Sequence, residues 1–442
     1  MKIKIQYILF AGLMFSLSSC LFEEKSLFPE SPALRLNHAI DNAKETLIAA
    51  NNGWVMEYFP TNDTEGYTFL MSFSTNTFAT IAAKNKYTPA YTTDSSAFDV
   101  IGDNGPVLTF NTYNKVFSLF SDPKDPMGGD ALNGLGLEGD YEFIIMNVTN
   151  DLIKLKGKKR GTEILMHPLA QGQEWQGYFS ILGRMDSTLF NPKLPVTLTL
   201  TNGKGGDPYY LTDGVTHIFT AKTQSQTDSG DQGENIPFIV TDYGLRFAQP
   251  VTLYSNSGAD SVLVQAFRLS DDKSKLVCTE DGNSTITGPQ PGDFLQGNSS
   301  TFLAEKSETS GMDDLFGRVA AGMISGFNAN YELTKIGFGK KDNRSALVLY
   351  TKNGITAMFN IPMVFEGNKA SITTFDAENM TNADMDNNAR LFYGRNPTIK
   401  GLISELLRFV QGDYTVETST PFTLQVIKYM KTDGSLMLNV SR

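Results

Sequence analysis

The chain is poor in the residues that most often carry catalysis, metal binding or crosslinks. Its 442 residues include two cysteines and three histidines. Two cysteines cannot build a disulfide scaffold. His38, His167 and His217 lie far apart, and none begins an H-E-x-x-H, so no zinc motif is spelled. G-x-S-x-G, P-loop and C-x-x-C patterns are all missing. Ser270-Asp271-Asp272-Lys273 matches S-x-x-K in spelling, but it reads as a turn between strands where that motif needs a helix start. Positive charge is also scarce. Lys and Arg number 37 against 48 Asp and Glu, a net charge of −11. An acidic chain argues against nucleic-acid partners, which reward basic patches through counterion release. It argues equally against docking on anionic lipid.

The amino terminus is organised differently. Lys2 and Lys4 precede an apolar run from Ile8 to Leu17, and Ser18 and Ser19 follow. This is the charge, hydrophobic core and small-residue order of an export signal, too short for a permanent span. Leu17-Ser18-Ser19-Cys20 resembles the lipobox of bacterial lipoproteins. The resemblance implies cleavage before Cys20 and acylation of its sulfur, with residues 1–19 as signal peptide and 20–30 as a lipidated tether. Several acyl chains give stable attachment, so the folded body needs no apolar membrane face. The tether carries Glu23-Glu24, which resembles a cell-surface display signal. Loss of Lys2 and Lys4 takes the net charge to −13. Cys278 is then the one remaining thiol, in the apolar strand pattern Lys275-Leu276-Val277-Cys278, and reads as a buried hydrophobe.

The periodicity beyond the tether predicts mainly antiparallel β-structure with several amphipathic helices, an α+β class in two or more β-rich units. Ser31-Pro32 opens a helix with Leu36, Ile40, Ala43 and Leu47 on one face, and Asn51-Asn52-Gly53 ends it. A second helix is expected from Glu174 to Leu189, and a third after Asn396-Pro397 with Ile399, Leu402, Ile403, Leu406 and Leu407 as its stripe. Trp54 to Tyr58, Tyr67 to Phe73, Tyr141 to Val148, Leu152 to Lys156 and Thr162 to Leu169 read as strands. Val107 to Phe110 and Val116 to Phe120 read as a hairpin. Asp213-Gly214, Asn353-Gly354 and Asp433-Gly434 read as hairpin turns. The units expected are 31–170, 171–280 and 313–442, with the polar stretch 281–312 as linker or long loop. The helix-then-strands order near residues 31, 173 and 398 raises the prospect of internal duplication.

Asn52-Gly53-Trp54, Ser121-Asp122-Pro123, Gly139-Asp140-Tyr141-Glu142-Phe143 and Leu155-Lys156-Gly157-Lys158-Lys159 together resemble an uncharacterised Bacteroidetes lipoprotein family, domain of unknown function 4302, over roughly residues 31–280. The family supplies no functional residues to carry over. The resemblance implies a setting of outer-membrane nutrient uptake, with a transporter complex as partner.

Two acidic segments could offer hard oxygen ligands to calcium. One is the Gly-rich loop holding Asp122, Asp125 and Asp130. The other is Asp384-Met385-Asp386-Asn387-Asn388, with Asp384, Asp386 and Asn388 at ligand spacing but without the following glycine. Solvated acidic loops are the commoner outcome, and no cofactor is expected otherwise. Tyr209-Tyr210, beside a Gly-rich turn, could stack on a sugar ring. No catalytic constellation emerges. The reading is therefore an exported, outer-membrane, cell-surface binding or accessory module in glycan or peptide capture. The alternatives are a carboxylate-dependent hydrolase, testable by acid spacing, and a structural or fimbria-like subunit.

Overall fold

The computed structural model describes residues 30–442 except 129–131, 133, 256–257 and 259. Cys20 and Asp130 lie outside the described residues. The chain is mainly antiparallel β with seven α-helices among those residues, arranged as two closed barrels and an open sheet.

The first unit begins with α1 (Pro32–Ala49), capped by the Ser31 hydroxyl, which accepts from the Leu34 N–H. Eight strands follow: β1 (Trp54–Tyr58), β2 (Tyr67–Phe73), β3 (Phe78–Asn85), β4 (Thr88–Gly102), β5 (Pro106–Phe110), β6 (Glu142–Val148), β7 (Ile153–Gly157) and β8 (Glu163–Pro168). Each pairs with the next, and β8 returns to β1, so no edge remains open. An eight-stranded barrel has room inside for side chains only. Tyr58 fills this one, with Phe69, Phe117, Phe120 and Phe143 packed edge-on around its ring. Ala43 and Leu47 of α1 join the same core.

The segments that repeat the family pattern are structural. Gly53 has φ +83°, and a Cβ there would meet the Met71 carbonyl at 2.6 Å. The Trp54 indole donates to the Leu47 carbonyl at 2.9 Å, tying helix to barrel. Buried Asp140 accepts the Lys159 and Arg160 N–H groups and holds the β7–β8 turn.

The second unit repeats the plan. Helix α2 (Trp175–Leu189) leads into β9 (Leu198–Thr201), β10 (Tyr209–Thr212), β11 (Ile218–Lys222), β12 (Glu234–Val240), β13 (Gly244–Tyr254), β14 (Ser261–Leu269), β15 (Lys275–Cys278) and β16 (Thr285–Thr287), with β16 closing on β9. A six-residue helix, α3 (Gln224–Ser229), lies between β11 and β12. Helix α2 serves both barrels. Tyr178 and Phe179 pack on the outer wall of the first against Val55, Leu70 and Ala82, while Leu189 enters the core of the second.

The third unit is a ten-stranded sheet, from β17 (Phe302–Glu305) to β26 (Met437–Ser441), packed with the helices α4 (Pro291–Gly297), α5 (Asp313–Gly326), α6 (Asn387–Tyr393) and α7 (Pro397–Phe409). In α7 Ile399, Ile403, Leu406 and Leu407 are buried, the stripe its sequence predicts. The Asn353-Gly354 and Asp433-Gly434 hairpins form as expected.

Three expectations fail. Residues 281–312 are not a plain linker. They hold β16, the helix Pro291–Gly297, β17 and the short strand Thr309–Ser310, elements whose few apolar residues are hidden in a polar composition. Val116 to Phe120 is no strand. Val116, Phe117 and Phe120 fold inward as a turn and a 3₁₀ segment that fills the first barrel. Asp213-Gly214 does not make a two-residue turn either, because a 3₁₀ turn at Gly214–Thr216 lengthens the connection and leaves Thr212 opposite Thr220.

Candidate functional site

Strand alternation separates the two tyrosines singled out by sequence. Tyr209 points the same way as Leu211, towards the core of the second barrel. Tyr210 points outward, so the pair cannot form a single stacking platform. Tyr210 instead lines a groove of about 680 Å³ on the barrel's outer face. Its floor is the β10–β12 surface, where Tyr210 stands opposite Lys222, and Thr212 opposite Thr220. Helix α3 and the Gln232-Gly233 turn form a wall. Asp213 and Lys222 are the charged groups lining it, so the groove is neutral on an acidic chain. The Tyr210 hydroxyl, the Lys222 ammonium and the Asn235 amide make no hydrogen bond among the described residues, leaving donors and acceptors free to a ligand.

A second cavity, of about 480 Å³, lies where the barrels meet α2. His217 stands at its base, in the left-handed region with φ 57°. Its Nε2 is 2.8 Å from the Asp186 carboxylate of α2, and its Nδ1 is 3.6 Å from Glu65 of the β1–β2 connection. Burial alone would lower the His217 pKa. The two carboxylates outweigh it and lift the value to about 9, so the ring is an imidazolium at neutral pH. Glu65 also pairs with Lys86 and accepts from the Tyr67 hydroxyl at 2.9 Å. Burial opposes its charge, yet bonds from His217 and Lys86 hold its carboxyl below the usual range. Sequence inspection missed this cluster. Its members sit 31 and 121 positions apart along the chain, and the signal available was a lone histidine after a turn.

Beside this cavity the barrels are locked directly. Glu57, on the outer face of β1, forms an ion pair with Arg246 of β13, and both side chains are 2% exposed. The Tyr243 hydroxyl donates to Glu57 at 3.2 Å, and the Arg246 guanidinium lies over the Phe59 ring. The Gly66 N–H donates to the Phe238 carbonyl across the junction at 3.1 Å.

The acids considered for calcium have other partners. Asp122 and Asp125 accept the N–H groups of Lys124 and Met127 within their own turns. Glu138 pairs with Arg160. Asp384 accepts from Thr381 and pairs with Arg344, while Asp386 caps the helix Asn387–Tyr393 through the Ala389 N–H. Asn388 donates to the Thr356 carbonyl. The sequence pattern at 384–388 is thus a pair of consecutive caps. Among the described residues no three His, Cys, Asp or Glu side chains converge as a cation site. Burial, then a hydrogen bond to Glu280, pushes the Cys278 thiol up to about 12, unsuited to a nucleophile. Ser270 bonds Asp272 and the Lys275 carbonyl in a turn.

Residues 24–261 match the family described as Domain of unknown function (DUF4302), more than half of the chain. The chain belongs to that family. Both cavities of this DUF4302 member fall inside the matched region, and the open sheet falls outside it. No curated protein matches the sequence. Among solved structures, the chain is 11% identical to a protein assigned as a DNA polymerase III beta subunit from Eubacterium rectale, covering 92% of this chain and 96% of that one at a TM-score of 0.13. A DNA polymerase III beta sliding clamp from Bartonella birtlesii is 10% identical, covering 92% and 97% at a TM-score of 0.13. Scores this low establish no common fold. Among the described residues no helix of this family member is long and apolar enough to cross a membrane.

Proposed function

We propose that this DUF4302 protein is a lipid-tethered binding module displayed at the outer membrane for nutrient capture, and that the Tyr210 groove seats a saccharide. The observation behind this reading is the groove's composition. A sugar ring has an apolar C–H face, which suits the flat face of Tyr210. Its hydroxyls both donate and accept, which suits the hydroxyls of Thr212 and Thr220, the Asn235 amide and the Lys222 ammonium. Neutrality of the groove favours an uncharged ligand over an acidic one. Tethering through Cys20 would hold such a module at the membrane and leave the barrels in solvent, where a transporter complex could take over the captured ligand.

A glycan array probed with residues 20–442 tests the ligand. Tyr210→Ala is expected to weaken any array hit about tenfold, the loss of one aromatic platform and its contacts. A hit that survives this change intact would place the saccharide elsewhere. Fractionation of cells expressing Cys20→Ser tests the tether. The variant should leave the membrane fraction, and unchanged membrane association would refute lipid attachment.

A further inference from the structure

The cavity between the barrels has a composition unlike the Tyr210 groove, and its donors have unmet demand. Two of its walls are apolar, with Phe179 and Leu182 from α2 and Ile239 from β12. At one side stand Lys84, near the end of β3, and Lys86, in the turn that follows it. Lys86 is paired with Glu65, whereas Lys84 has no ion pair among the described residues. Between them lies Asn85. Its side-chain oxygen accepts the Tyr87 and Thr88 N–H groups, while its amide nitrogen is buried without a hydrogen-bond partner. A buried donor left unpaired is unfavourable, so a ligand that satisfies it gains by doing so. With His217 protonated, the two carboxylates of the cavity, Glu65 and Asp186, are matched by His217 and Lys86. The positive charge of Lys84 is left over.

Helix α2 supplies a second observation. Gly183, mid-helix, lines the cavity, and a Cβ built there would meet nothing within 4 Å. Glycine inside a helix is less favourable than alanine. No packing constraint at this position requires it. A larger residue would extend into open space beside the cavity.

From the unpaired amide, the uncompensated lysine, the apolar walls and this space, we infer that the inter-barrel cavity binds a carboxylate attached to an apolar group. The apolar group lies against Phe179, Leu182 and Ile239, and the carboxylate meets Lys84, Lys86 and the Asn85 amide. The chemistry is shared by a fatty acid and by the C-terminus of a peptide ending in an apolar residue. The proposal is independent of the saccharide groove, which shares no lining residue with this cavity.

Calorimetric titration of the full mature chain tests it with two probes, decanoate and the tripeptide Gly-Gly-Leu. Each is compared with its uncharged counterpart, decanol and the C-terminal amide. The expected result is that at least one acid binds about tenfold or more tightly than its neutral partner, the scale of one charge-assisted contact. Which acid does so identifies the source. Lys84→Gln should reduce that preference, and Gly183→Phe should abolish binding while the unfolding temperature holds or rises. Equal binding of acid and neutral forms, unaltered binding by Gly183→Phe, or no binding of either acid at millimolar concentration would each overturn the inference.

Discussion

At the residue scale, two ionised groups govern the junction of the barrels. The Glu57–Arg246 pair is taken out of water, so each charge depends on the other. Arg246→Leu is expected to destabilise the protein by about 3–5 kcal/mol, because it leaves the buried Glu57 carboxylate without its cationic partner. The double variant Glu57→Leu/Arg246→Leu should recover much of that loss, since no charge is then buried alone. Urea unfolding of the three proteins measures this, and a double variant as unstable as the single one would refute the account. His217 is governed by the same physics. Its folded pKa of about 9 exceeds the ordinary 6.5. The stabilisation is therefore complete below about pH 6.5 and is lost as pH rises through about 9, for a total of about 3 kcal/mol at most. His217→Asn keeps a residue that tolerates the left-handed backbone. It should flatten the fall in urea midpoint between these pH values. A variant that falls as steeply as the parent would show that other groups carry the effect.

At the scale of elements, the helices are positioned by caps and apolar stripes, and both features are local in sequence. Ser31 caps α1 and Asn396 caps α7, whose Ile399 N–H donates to the Asn396 oxygen at 2.9 Å. Asn396→Ala should cost about 1 kcal/mol, read as a lower thermal midpoint. Asp386→Ala should cost a similar amount for the same reason, and calcium should not rescue it if the carboxylate acts only as a cap. Gly183→Ala in α2 is expected to do the reverse and stabilise by up to about 1 kcal/mol, because the Cβ meets open space and the helix gains propensity. Destabilisation by that change would mean that the cavity wall is packed more closely than the open space beside Gly183 implies. The strands missed in the sequence, β3 and β4, have a different cause. Long stretches of β4 are exposed or half-buried, so its residues give no regular apolar alternation. Its place is set by pairing with β3 from Phe78 to Asn85.

At the scale of the whole molecule, two barrels of the same plan are joined by one helix. Helix α2 packs on the wall of the first barrel and closes the second, so its two ends report on different cores. The third unit is coupled as well, since Phe422, between the strands Gly412–Thr418 and Val426–Lys431, is buried in the core of the second barrel. Trp54 to Tyr58 shows how little of this arrangement a single strand reveals. All five residues are buried, but Trp54, Met56 and Tyr58 face the barrel, Val55 faces α2 and Glu57 faces Arg246. In sequence the run reads only as a strand.

The sequence by itself determined the elements whose signals lie within a few residues: the capped helices, the alternating strands, the Asn353-Gly354 and Asp433-Gly434 turns, the β-dominated class and the family pattern. Caps and turns act through bonds spanning three or four positions, so spelling is enough to find them. Tertiary structure alone decided barrel closure, which of Tyr209 and Tyr210 faces outward, and the joining of Glu65, Asp186 and His217 around a cavity. Those depend on strand register and on contacts between residues from about thirty to more than a hundred positions apart, and a one-residue shift in register would turn each side chain to the other face of its sheet.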